Sequence, residues 1–64
     1  MENNLKKLRN QINVSQNDLA QALSVSRQTI NSIENGKFDP SLTLAMNLTR
    51  YFGVSLDNIF IYED

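Results

Sequence analysis

Between positions 27 and 32 the chain carries Arg27, Gln28, Asn31 and Ser32. If this stretch is helical, their spacing gathers them on one side. A guanidinium offers parallel donors, a carboxamide sets a donor beside an acceptor, and a hydroxyl serves as either. These groups match the edges of nucleobases: arginine donates to O6 and N7 of guanine, and glutamine or asparagine pairs with N6 and N7 of adenine. An ordinary solvated helix face is the competing reading, although such a face more often carries Glu and Lys. Other chemistry is poorly supplied. Without Cys or His there is no thiolate zinc site, disulfide, thiol nucleophile or imidazole base. Gly36 and Gly53 stand alone and cannot form a phosphate-cradling loop. The inventory argues against an enzyme and calls for no cofactor, metal or small-molecule ligand.

Positioning those side chains requires helices. Leu5, Leu8 and Ile12 after Asn3-Asn4 predict a first helix of two to three turns. Ser15 with Asp18 has the form of a capping box and opens a second helix with Leu19, Ala20 and Leu23 inward. Ser24-Val25 leaves only a tight connection before Ser26 caps a third, which buries Ile30 and Ile33 and ends at Asn35-Gly36. Ser41, after Pro40, caps a fourth through Leu44, Ala45, Leu48 and Phe52, which stops at Gly53. Ser55 can open one more turn, Leu56 to Ile59, and Val54, Leu56 and Ile59 complete the expected core with Val25. The fold class is all-α: one compact domain over residues 1–64, with a helix-turn-helix unit at 16–35 and an extended end at 60–64.

At about 100° per residue, with Ile30 and Ile33 inward, Gln28, Asn31 and Ser32 lie within about 50° of the outward direction, with Arg27 and Thr29 on its flanks. Glu34 falls beside the buried face, and Arg9 has the same offset from Leu5, Leu8 and Ile12 on the first helix. Arg9 and Glu34 are therefore expected to form a structural ion pair, which orients the third helix more than it stabilises the fold. No acid is left on the outward face of that helix. The formal charge of −1 looks unfavourable for a polyanion partner, but it is unevenly distributed. Residues 3–50 hold six basic and three acidic residues, a net of +3, and the remaining acids, Glu2, Asp57, Glu63 and Asp64, lie near the two ends.

Leu8-Arg9, Ser15-Gln16-x-x-Leu19-Ala20, Val25-Ser26-Arg27-x-x-Ile30, Ile33-Glu34-Asn35-Gly36-Lys37, Pro40-Ser41-Leu42 and Phe52-Gly53-Val54-Ser55-Leu56-Asp57-x-Ile59-Phe60 follow in order. Together they resemble the XRE (Cro-like) helix-turn-helix family, to which the lambdoid phage repressors belong, from about Leu5 to Phe60. The resemblance implies a five-helix, lambda-repressor-like DNA-binding domain that docks its third helix in the major groove, as a twofold homodimer on a pseudo-palindromic operator. It implies base contacts at Arg27, Gln28 and Ser32, with Asn31 beside them. Gln16 matches a position that bonds a phosphate and buttresses the next side chain, and Asn35 and Lys37 match the loop that tracks the DNA backbone. Ser26 and Thr29 join that phosphate-contacting set. An Arg9–Glu34 bridge is implied as well. Ser24 departs from the pattern, since members commonly have glycine there; a left-handed serine would carry about 1–2 kcal/mol of strain.

Phe60, Ile61 and Tyr62 are too apolar for a loose tail. Two readings stand: a short extended segment at a homodimer contact, paired with its mate or with the amino-terminal residues, or a cover for the chain's own core. A core this small seldom supplies more than roughly 3–5 kcal/mol, which makes a second copy a natural supplement. The expectation is a cytoplasmic regulator of transcription, a repressor of double-stranded DNA targets, with no membrane segment and no room for a sensor. An antitoxin or interaction adaptor built on the same fold is the alternative.

Overall fold

Each turn of the chain is set by how helix ends satisfy their backbone groups. In the computed structural model, which describes residues 1–62, α1 spans Leu5–Gln11, α2 Gln16–Ala22, α3 Arg27–Glu34, α4 Leu42–Phe52 and α5 Leu56–Ile59. Glu63 and Asp64, the last residues of the expected extended end, lie outside the described residues. The Asp18 N–H donates to Ser15 Oγ at 2.9 Å and the Ser15 N–H donates to Asp18 Oδ2 at 3.3 Å, a complete capping box. Ser26 and Ser41 accept from the amides of Thr29 and Leu44 in the same way. Ser55 precedes α5 but makes no side-chain cap bond. At α1 the capping oxygen comes from one residue further back, with the Leu5 N–H donating to Asn3 Oδ1.

Four helices close alike. A residue in the left-handed region follows each of α1 to α4: Asn13, Ser24, Gly36 and Gly53, with φ of 57°, 58°, 73° and 66°. The next amide then reaches back over the last turn, from Val14 to the Arg9 carbonyl, Val25 to Ala20, Lys37 to Ser32 and Val54 to Thr49, at 2.9–3.2 Å. α1 therefore stops at Gln11, one residue short of its expected apolar face, and Ile12 is half exposed.

Leu5, Leu19, Ile30, Ile33, Leu48 and Ile59 are fully buried, with Ala20, Leu44, Ala45 and Phe60 beside them. Leu8, Leu23, Val25, Phe52 and Val54 pack around this centre as expected, joined by Val14. Leu56 does not: α5 is a single turn, Ile59 takes its inward position, and Leu56 is exposed. Phe60 fills the space instead. It leaves α5 in an extended conformation and forms an antiparallel bridge with Asn3, flanked by bonds from the Asn4 N–H to the Ile59 carbonyl (2.8 Å) and from the Ile61 N–H to the Glu2 carbonyl (2.9 Å). Of the two readings for this segment, Phe60 thus serves the chain's own core and the amino-terminal pairing, Ile61 is half buried and Tyr62 is exposed.

Ser24 is the residue least suited to its conformation. Relief of left-handed strain, about 1–2 kcal/mol, outweighs the roughly 0.5–1 kcal/mol of extra chain entropy that glycine loses on folding. Ser24→Gly should stabilise the protein by about 0.5–1 kcal/mol and raise its melting temperature by several degrees, as read by circular dichroism. An unchanged or lower midpoint would show that the serine conformation is unstrained.

Candidate nucleic-acid interface

The α2–Ser24-Val25–α3 unit is closed from inside. Ala20 lets α2 and α3 approach, and its carbonyl accepts from the Val25 amide that ends the turn. With Ile30 and Ile33 fully buried, α3 has only one rotation about its axis. Arg27, Gln28 and Asn31 are consequently exposed, and Ser32 is half buried beside them. Arg27 makes no ion pair among the described residues. Ser26 and Thr29 stand at the amino-terminal edge of this face, their hydroxyls 2.9 Å apart. At the other end Asn35 and Lys37 expose their side chains, while the amides of Asn35, Gly36 and Lys37 close α3 onto the carbonyls of Asn31, Ile33 and Ser32 respectively.

Beneath this face lies the ion pair. Arg9 donates through Nε to Glu34 Oε2 at 2.7 Å and through Nη2 to Oε1 at 3.2 Å, with the two side chains only 10% and 3% exposed. The remaining guanidinium nitrogen, Nη1, donates to the Val14 carbonyl at 2.9 Å, which also ties the α1–α2 turn to the pair. No buried side-chain polar atom among the described residues lacks a partner. Hydrogen bonding to Glu34, helped by its charge, raises the Arg9 pKa against the effect of desolvation, so the guanidinium stays charged. The only acid of α3 is thereby removed from the outward surface.

Gln16 is the residue whose surroundings were least visible in the sequence. Its Nε2 donates to Glu34 Oε1 at 3.0 Å and to Asn31 Oδ1 at 3.1 Å, so both amide hydrogens are engaged within the protein. Phe38 also went unnoticed. It sits half exposed in the α3–α4 loop and, with Ser26, Gln28, Thr29 and Ser32, lines one shallow concavity. An apolar residue outside every helical register was its only sequence signal. A larger open hollow lies between α1 and the end of α3, lined by Lys6, Lys7 and Asn10 among others, but Glu34, its one acid, is already committed to Arg9. No group of His, Cys, Asp or Glu among the described residues could hold a metal, and no helix there is long and apolar enough to cross a membrane.

Five helices among the described residues, a tight α2–α3 turn and a polar outward face on α3 define a helix-turn-helix protein. The chain belongs to the XRE-type helix-turn-helix family, which it matches over residues 5–59. It is 56% identical over its whole length to a protein of Methanocaldococcus jannaschii, covering 97% of that protein. It is 38% identical to one of Archaeoglobus fulgidus and 36% to one of Bacillus subtilis, again over its whole length, covering 90% and 97% of them. All three are named uncharacterized HTH-type transcriptional regulators. The family is one of DNA-binding regulators of transcription and not of enzymes.

The ion pair allows a direct test. Removing one member leaves the other buried and uncompensated, at a cost of about 3–5 kcal/mol, comparable with what so small a core supplies. Arg9→Met or Glu34→Met alone should therefore leave the protein largely unfolded in urea titrations at 25 °C, whereas the double replacement by methionine should fold. Equal, additive losses would show instead that the pair is solvated.

Proposed function

We propose that this protein is a sequence-specific repressor that binds double-stranded DNA as a homodimer, laying α3 in the major groove of each half of a pseudo-palindromic operator. One observation carries this reading. The outward face of α3 offers a guanidinium, two carboxamides and a hydroxyl, while the helix's only acid is neutralised underneath by Arg9. Arg27, Gln28, Asn31 and Ser32 read base edges, and Ser26, Thr29, Asn35 and Lys37 face phosphates. The eight residues of α3 extend for about 12 Å, enough for only three to four base pairs. A single copy therefore discriminates poorly, and two copies on twofold-related half-sites supply the missing information.

The dimer contact remains with the C-terminal segment in this reading, carried by Ile61 and Tyr62, with Phe60 holding that segment against the core. Residues 1–64 act as one DNA-reading domain, with the operator as partner and the cytoplasm as the place of action. In this reading operator occupancy itself blocks transcription.

Selection from random duplex DNA at moderate salt should enrich paired half-sites about one helical turn apart. Enrichment of single, unpaired sites would exclude the dimer. Arg27→Ala should cost about 1–3 kcal/mol on the selected duplex and relax preference at one base pair. Lys37→Ala should weaken all duplexes alike and reduce the slope of log K against log salt by about one. A change in preferred sequence from Lys37→Ala, with none from Arg27→Ala, would reverse these roles.

A further inference from the structure

The hydrogen bonds at the α1–α2–α3 junction have a direction as well as a geometry. A guanidinium only donates, and an ionised carboxylate only accepts. Arg9 and Glu34 therefore have no freedom in their pairing. Gln16 meets Glu34 Oε1 at 3.0 Å, and only its NH2 end satisfies that oxygen; the flipped amide would set two acceptors against each other. The second hydrogen of the same nitrogen faces Asn31 at 3.1 Å. Its partner must be Oδ1, since the flipped Asn31 would set donor against donor. The buried ion pair thus dictates the orientation of two further side chains, ending at exposed Asn31. Asn31 is left with Nδ2 as its unengaged end, and the Gln16 side chain retains no N–H for another partner.

We infer, resting on the reading that α3 enters the major groove, that Gln16 is a positioning residue that presents Asn31 to the bases as a donor. In this arrangement Asn31 selects guanine, whose N7 and O6 both accept, over adenine. Pairing with adenine through both ends of the amide requires Oδ1 to turn toward N6, which gives up the bond from the second Gln16 hydrogen at a surface from which the docked duplex would exclude water. The side chain of Gln16 is correspondingly not a phosphate ligand: a bond from Nε2 to a phosphate would have to be taken from Glu34 or Asn31.

The test is selection from random duplexes with the wild-type chain, followed by competition binding of variants to duplexes that differ at one base pair. Asn31→Ala identifies the pair that Asn31 faces, as the position where preference collapses. Wild type should favour guanine over adenine there by about five-fold or more, as one good hydrogen bond implies. Gln16→Met, of similar shape and without amide hydrogens, should erase that ratio and leave preferences at other pairs unchanged. Asn31→Asp keeps the bond from Gln16 and does not touch the ion pair; it should exchange guanine for cytosine at that pair. A wild-type preference for adenine, retention of guanine by Asn31→Asp, or loss of no base preference in Asn31→Ala would overturn the inference. So would equal weakening of all duplexes by Gln16→Met with the guanine-to-adenine ratio intact, the behaviour of a phosphate ligand. A wild-type chain that enriches no sequence at all would overturn the DNA-reading assignment itself, and this inference with it.

Discussion

The bidentate contact between Arg9 and Glu34 is the constraint on which the rest of the molecule depends. Desolvation offsets much of the attraction between two buried charges, so its principal effect is on arrangement. An apolar contact between α1 and α3 would allow some rotation and sliding. A planar guanidinium locked onto a planar carboxylate does not, and Nη1 extends the same control to the α1–α2 turn through Val14. Three helices thereby share one set of coordinates. The outward face of α3 inherits its angle from residues that it never exposes.

That constraint also accounts for the electrostatics. The net charge is −1, yet Glu34 is buried against a cation, Asp18 is engaged in the α2 capping box, and Asp39 lies 3.1 Å from the amino terminus. None of these acids belongs to the outward face of α3. A surface can thus suit a polyanion without a basic composition, provided that its acids are spent on structure.

Helix positions were legible in the sequence because local rules set them: the serine caps, the inward pairs Leu19/Ala20 and Ile30/Ile33, and the glycines after α3 and α4. The Arg9–Glu34 pair was legible for a related reason, since both residues share one angular offset from their buried neighbours. What escaped depended on contacts between distant segments. Leu56 and Phe60 exchange the expected inward role because the chain leaves α5 in an extended form and meets Asn3, and no periodicity over four residues could show that. The full partnership of Gln16 escaped likewise, because amide orientation follows from which oxygen lies opposite. The left-handed Ser24 was anticipated only by comparison with a family pattern; the residue type itself argues against the conformation.

The bridge between Asn3 and Phe60, with its flanking bonds from Asn4 and Ile61, makes the described chain nearly a ring. Its consequence is topological. A short linker between the segments around Glu2 and Ile61 would span little distance, so the polypeptide could be reopened at an exposed connection without disturbing the order of helices in space. The helix-turn-helix unit is in this sense indifferent to where its chain begins.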